Sequence, residues 1–450
     1  MEKDNPNSTL DNQVKARPEV IAGLPGAAPK VHRSLLKAGI DSNRLSILHL
    51  GQPPNRLKYK VPGWAYRMSI GYFLWLVLFL LTNFGVKLPV YLDAFFSLVV
   101  GLLIVQVACQ VLVKATEQFA ARMRWTHYIA GTAAEILSTL PELVVIAFLV
   151  MVDPLMAFLV AMVTIYNNAL VFSIYSYFLP RDQHGKFLMR KPITDSGTQI
   201  LIAGGMLGLI MGLIMLTFTL DEHPKKSFEA IDLLVVAILL LCIFVVYIYK
   251  IVRDQGEEEE EEVQSVLELT EGEVELRHDL AFKHVKKNSF LFIFLLLSLG
   301  ILGAFLGGER VSVFASLAIE DLGLSGIVAA IILAGFAGMS EYVILWTSHR
   351  KKEYGIALAN AFGGIAQVLF LIVPFTFIAI AYYQVFVNSG HPDLPIVFSV
   401  THILLLIFLF PTLHTLASLL QNDHTMDILD TVIMFAIVGL LVLLLVTYGV

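Results

Sequence analysis

Cysteine is nearly absent from this sequence: of 450 residues only Cys109 and Cys242 carry a thiol, and both stand inside apolar runs. That excludes a disulfide framework and a thiolate metal site. Neither half of the chain offers a cluster of His or Cys of the kind that soft and borderline metals favour. No HExxH zinc motif and no obvious Ser–His partnership lies in the apolar runs, which argues against an intramembrane enzyme. The glycines at 204–208 follow no strand, so they read as helix packing and not as a nucleotide-binding turn. The acidic stretch at 253–279 has neither the alternating ligands nor the central glycine of an EF-hand loop. The first 60 residues contain no apolar core of signal-peptide type.

Apolar residues fill the space these absences leave. They make up 57% of the chain, with a mean hydropathy of +0.75, whereas a soluble domain is nearer half apolar. They fall in windows long enough to cross a bilayer, for which about 20 residues suffice. Such windows lie near 68–86, 88–113, 128–151, 155–179, 196–219, 230–250, 289–306, 324–347, 354–382, 395–418 and 428–449. The expectation is an all-α integral membrane protein of eleven transmembrane helices, with the lipid bilayer as its surroundings and no nucleic-acid partner.

The basic residues orient it. All but four of the 31 Lys and Arg fall in segments on the side of the N-terminus, the exceptions being Lys87, Lys225, Lys226 and Arg310, which are read into outer segments. The positive-inside bias then makes the N-terminus cytoplasmic and puts the C-terminus outside; the cytoplasmic (cell) membrane is the expected location. Residues 1–62 read as a disordered basic cytoplasmic tail facing anionic lipid. The first transmembrane helix occupies 63–87, and 251–288 form an acidic cytoplasmic linker. The six glutamates at 257–262 read as an unstructured, solvated run.

An internal repeat organises the rest. A shift of 199 residues lays the second to sixth windows over the seventh to eleventh. EILSTLPELVVIAF, around Glu142, then falls on LAGFAGMSEYVILW, around Glu341. MVTIYNNALVF, around Asn168, falls on NAFGGIAQVLF, around Gln367. Each half thus carries an intramembrane Glu followed 26 residues later by a side-chain amide, and Asp232 lies one residue out of register with Asp430. Each repeat, 88–250 and 289–450, has five windows. An odd number inverts the second repeat relative to the first, the arrangement of many secondary transporters, whose sites lie at the repeat interface near the midplane.

A carboxylate at the bilayer centre costs at least about 2.5–3.5 kcal/mol on insertion scales, so a matched pair calls for a partner, water or an ion. The alternative is a protonated Glu held by a helix–helix hydrogen bond. Pro141 removes a backbone hydrogen bond just before Glu142, and Gly335 and Gly338 loosen the stretch before Glu341. Broken helices are therefore expected at both acids. Freed carbonyls, carboxylates, hydroxyls and amide oxygens are ligands for hard cations. Thr164 stands one turn from Asn168, and Gly363 and Gly364 precede Gln367 at the same spacing. Glu135, two turns before Glu142 with Ala334 as its repeat partner, is a third acid; it reads equally as a ligand or proton relay, or as an interfacial carboxyl paired with His127 or Arg124.

These residues resemble the alpha-repeats of the calcium/cation antiporter superfamily, closest to its cation/proton exchanger branch. The resemblance runs from about residue 65 onward. It rests on ATEQFAARM at 115–123, PELV at 141–144, GGIAQVLFLIVPF at 363–375 and the acidic segment between the halves. It implies that Glu142 and Glu341 bind cation and proton alternately, with Asn168, Gln367 and Thr164 as polar neighbours. The sequence departs from the family in having Ser138-Thr139-Leu140 and Gly338-Met339-Ser340 before the acids, where the family has Gly-Asn-Ala, and Ala366 where it has threonine.

The function expected is exchange of a cation, Ca2+ first, for protons by alternating access, with no soluble cofactor. Two carboxylates brought close repel one another, which suits proton coupling. The alternative is a sodium-coupled or sodium/proton exchanger, or one for another divalent ion; an ion channel is a further class.

Overall fold

A computed structural model describes residues 62–123, 133–134, 136–183, 185–188, 191–220, 228–267, 289–350, 354–387, 398–421 and 425–448. The basic tail, Glu135 with His127 and Arg124, and the linker beyond residue 267 lie outside the described residues.

The helices in order are α1 (Gly63–Asn83), α2 (Val90–Met123), α3 (Leu140–Val152), α4 (Pro154–Tyr177), α5 (Lys191–Leu220), α6 (Ala230–Leu267), α7 (Phe290–Ser316), α8 (Gly326–Ala337), α9 (Met339–Arg350), α10 (Tyr354–Gln367), α11 (Val373–Tyr382), α12 (Val400–Gln421) and α13 (Ile428–Tyr448). Among the described residues, eight helical segments are long and apolar enough to cross a membrane, and three shorter apolar helices, Ile136–Val152, Gly326–Gly335 and Ile428–Leu443, complete the eleven expected spans. Burial ranks them. In α1 only 17% of the spanning window is buried, whereas α4 and the α10–α11 span reach 78%. So α1 is peripheral, and α4 with its repeat counterpart forms the centre.

The packing follows the repeat. The equivalent helices α2 and α7 lie along one another, as do α5 and α12, while α4 meets α8 just as α11 meets α3. Close approach at the α2–α7 crossing needs glycine. A Cβ on Gly101 would come 3.0 Å from the Gly307 carbonyl oxygen, and one on Gly307 would come 2.9 Å from that of Gly101. Without hydrophobic drive between helices inside lipid, such small-residue contacts supply the packing. The glycines at 204–208 do the same work in α5: Gly208 lies against Leu409 of α12.

Matched acids also start matched helices. Asp232 accepts from the Glu229 N–H at 3.0 Å and Asp430 from the Asp427 N–H at 2.9 Å. Each satisfies a backbone donor at the start of the last helix of its repeat, as the acidic residue of a capping box does. Asp153 caps α4, accepting from Leu155 N at 2.8 Å and Met156 N at 3.2 Å.

Two expectations are corrected. Arg310 is not in an outer loop: α7 runs on to Ser316, and Arg310 is only 5% exposed, its Nε 3.2 Å from Glu309 Oε2. Glu309 also accepts from Trp75 Nε1 of α1 at 2.9 Å. The ion pair is what lets a basic residue sit inside the span. The acidic run at 257–262 is helical, because α6 continues to Leu267; glutamate is a good helix former, and only Gly256 interrupts the stretch. The all-α fold carries one short antiparallel pairing, of Phe187–Leu188 (β1) with Thr425–Met426 (β2).

Candidate cation site

Both central helices break at repeat-equivalent residues. The chain turns at Thr139 between Ser138 and α3, and at Gly338 between α8 and α9. At the first break the Thr139 N–H donates to the Ile136 carbonyl at 3.3 Å, and its hydroxyl donates to the same oxygen at 2.7 Å. Pro141 supplies no N–H to the turn behind it, and the Ser138 carbonyl accepts the Cys109 thiol at 3.3 Å. At the second break Gly338 N–H bonds the Ala334 carbonyl at 3.3 Å, which also accepts from Asn167 Nδ2 at 3.2 Å.

Each helix then restarts with the same bond, Leu143 N–H to Thr139 O and Tyr342 N–H to Gly338 O, both 3.1 Å. The restart puts Glu142 and Glu341 in the first turns of α3 and α9. Free N–H groups and the positive end of the helix dipole favour negative charge at such a place. Two half-helices of opposite direction thus present their N-terminal ends and their acids to the middle of the bundle.

The carboxylates lie close enough to act on one another electrostatically, and both act on the Tyr342 hydroxyl. Glu142 is 4% exposed, and its Oε2 is fully buried with no hydrogen-bond partner among the described residues. On α4, Asn168 is buried and neither Oδ1 nor Nδ2 has a partner among the described residues. Buried polar atoms without a protein partner are rare enough to need a reason, and a bound ion is one such reason.

Glu341 rests on the backbone of α10. A Cβ added to Gly364 would lie 2.6 Å from each carboxylate oxygen, so only glycine leaves room for the acid. The repeat counterpart of Gly364 is Ile165, fully buried. Asn360 Nδ2 donates to the Glu341 backbone carbonyl at 3.5 Å.

The other expected residues are placed as follows. Thr164 is buried on α4 and donates its hydroxyl to the Val160 carbonyl at 2.8 Å, leaving the oxygen's lone pairs available. Gln367 is buried at the end of α10, three residues beyond Gly364. There the helix widens into a π-helical turn, Val368–Ile372, ahead of Pro374 in α11. Such insertions recur at functional sites, and the proline withholds the N–H that a regular helix would use.

Asn167 and Tyr342 went unmarked in the sequence. Asn167 Nδ2 donates to the Tyr342 hydroxyl, which lies 2.6 Å from where a Gly338 Cβ would stand. The signal was present: a second amide beside Asn168, and a phenol after Glu341 where the first half has Leu143. Among the described residues no three His, Cys, Asp or Glu gather as a metal cluster. The donor set is two carboxylates with amide, hydroxyl and carbonyl oxygens, which fits a hard cation.

Comparison with known proteins agrees in class. Residues 290–447 match the family described as sodium/calcium exchanger protein, which bears out the resemblance to the calcium/cation antiporter superfamily. No curated protein matches the chain by sequence. Among solved structures the fold is similar to that of an H+/Ca2+ exchanger, CAX, with a TM-score of 0.58 and 11% identity over 86% of this chain and 89% of that one. It is also similar to YfkE, with a TM-score of 0.57 and 12% identity over 84% of this chain and 98% of that one. A second YfkE structure, described as a Ca2+/H+ antiporter protein, matches with a TM-score of 0.53. At these identities the likeness is one of fold. The chain is a multi-pass membrane protein with the architecture of these exchangers.

Proposed function

We propose that the protein is a secondary active transporter that exchanges Ca2+ for protons across a membrane by alternating access. The observation that carries this reading is the pair of buried Glu142 and half-buried Glu341 on repeat-related half-helices, with Glu142 Oε2 and both amide atoms of Asn168 lacking a protein partner among the described residues. Two carboxylates match the charge of one divalent cation or of two protons. Either load neutralises the site, and a neutral site is the one that crosses the low-dielectric interior at least cost.

In this reading Glu142 and Glu341 bind ion and proton alternately, and Asn168, Thr164 and Gln367 complete the oxygen shell. Glu135 serves as a third acid or a proton relay. The two repeats, 88–250 and 289–450, rock against one another about the site, with the N-terminus cytoplasmic and the C-terminus outside. The cell membrane is the proposed location, and the ion gradient, not a cofactor, supplies the energy. The resemblance to exchangers named for Ca2+ and H+ supports this coupling. A second reading, sodium in place of protons, is favoured by the family description of residues 290–447.

Uptake of labelled Ca2+ into liposomes holding the purified protein separates these readings. An outward proton gradient is expected to drive uptake without sodium. Uptake driven only by an outward sodium gradient would replace proton with sodium coupling, and uptake under neither would overturn the exchange reading.

A further inference from the structure

His349 stands in a polar cluster at the end of a helix face that leads away from Glu341. On α9, Glu341, Leu345 and His349 follow at intervals of four, so they share one face; a rise of 1.5 Å per residue puts His349 roughly 12 Å beyond Glu341. On α4, Tyr175 lies two turns past Asn168 on the same side of the helix. The two faces converge. The His349 ring packs edge to face on Tyr175, with centroids 5.7 Å apart and planes at 82°, and on Tyr354 at the start of α10, at 5.4 Å and 69°.

The polar atoms of this cluster have spare capacity. His349 Nδ1 and the Tyr175 hydroxyl are both buried, and neither has a hydrogen-bond partner among the described residues. A structural histidine closing a helix end normally spends its nitrogens on protein groups. Among the described residues, the ionisable side chains facing the ring are Tyr175 from α4 and Tyr354 from α10. Arg350 follows on α9, and Arg181, past the end of α4, donates to the carbonyls of Ser176 and Tyr177.

The inverted repeat supplies a comparison within the molecule. A shift of 199 residues takes His349 to Val150, Tyr354 to Leu155 and Tyr175 to Pro374. The repeat-equivalent seam toward the opposite end of the bundle is apolar at all three positions. At these three positions the proton-exchanging side chains stand at one end only, the one that the Lys and Arg distribution assigns to the cytoplasm; the other end holds His402, whose nitrogens, unlike Nδ1 of His349, are taken up by the Ser399 hydroxyl at 2.6 Å and the Leu155 carbonyl at 3.3 Å.

We propose that His349, positioned by Tyr175 and Tyr354, is the proton relay of this mouth, passing protons between the cytoplasmic water and Glu341. This rests on the cation/proton reading above. In the inward step the ring takes a proton from water on one nitrogen and releases one from the other toward the Glu341 carboxylate. The charge on the ring is transient, and nothing is consumed. Imidazole suits the task because it both accepts and donates near neutral pH. Leu345, buried on the same face between the two groups, separates them until the rearrangement that opens this mouth. Release of protons to the cytoplasm runs the same path in reverse.

The test is cation-driven proton movement in liposomes, read with an internal pH dye, for the unmodified protein, H349Q, H349A and Y175F. In H349Q and H349A the maximal rate is expected to fall about tenfold or more, the lower range of positioned proton transfer, while the cation concentration giving half the maximal rate stays unchanged. Free imidazole should restore the rate of H349A and leave the unmodified protein unaffected. Y175F removes only the hydroxyl and checks the seam without emptying it; its rate should fall by a smaller factor. An unaltered rate in H349Q, or a loss in H349A that imidazole does not restore, overturns the relay and leaves the exchange reading standing. No cation-driven proton movement in the unmodified protein overturns both.

Discussion

Gly364→Ala is the substitution whose effect follows most directly from the structure. The new methyl carbon would lie 2.6 Å from both oxygens of Glu341 and 2.7 Å from its Cδ. Carbon–oxygen contacts of the C–H···O kind settle at about 3.3–3.6 Å, so the carboxylate must retreat by about 0.7 Å or α10 must move away. A calcium ligand has a range of only about 2.3–2.6 Å in which to bind, and functional groups must be held within about 0.5 Å. The acid therefore leaves the shell or drags it out of shape. Overpacking of this kind costs about 1–3 kcal/mol, and at about 1.4 kcal/mol per tenfold the apparent cation affinity should weaken roughly 5- to 150-fold. Gly335→Ala is the control, because nothing stands within 4 Å of its added Cβ. Saturation curves of cation flux for the two variants give the answer. Equal half-saturation in Gly364→Ala and the unmodified protein would refute the placement of Glu341 on the α10 backbone.

Asn168→Leu should leave the melting temperature in detergent unchanged or higher, since its amide makes no hydrogen bond among the described residues and loses only a desolvation cost, yet cation flux should fall; a marked loss of stability would show that the amide has a structural partner. Cation affinity should weaken steadily as pH falls, because protons compete for the carboxylates that bind the ion; equilibrium binding at several pH values checks the sign, and tighter binding in acid would contradict it. Glu309→Gln should destabilise the protein by about 1–2 kcal/mol, less than the 3–5 kcal/mol of a wholly buried pair, because Glu309 is 37% exposed although Arg310 is not; thermal melts of this variant beside Trp75→Phe measure how far the α1 contact contributes.

Much of this architecture was legible in the sequence. Eleven apolar windows and the 199-residue shift are long-range regularities, and lipid allows only helices to cross it unaided. The breaks at Thr139 and Gly338 were foreshadowed by Pro141 and by Gly335 with Gly338. What escaped was what depends on neighbours from distant parts of the chain. Asn167 reaches Tyr342 across 175 residues, and Trp75 reaches Glu309 across 234; the amide and the phenol could be marked one by one, but no local pattern announces either pairing. Arg310 was misplaced because charge ended the apolar window early, whereas in the fold Glu309 pairs with it and the helix continues. The acidic run was read from its charge alone, and its helix propensity prevailed. The match of Asp232 with Asp430 was visible, but its meaning, two caps at equivalent helix starts, needed backbone positions.

The central claim is that Glu142 and Glu341 form one exchange site shared by cation and proton. The most direct measurement loads liposomes with the protein and a pH dye, imposes a proton gradient, and adds Ca2+, Mg2+, Mn2+, Na+ or K+ in turn, with Glu142→Gln and Glu341→Gln alongside. The account predicts a pH change on adding Ca2+ that is lost in each single variant, because one carboxylate alone neither balances the cation nor carries its proton load. Cation-dependent proton movement that survives in either variant, or none in the unmodified protein, would contradict it.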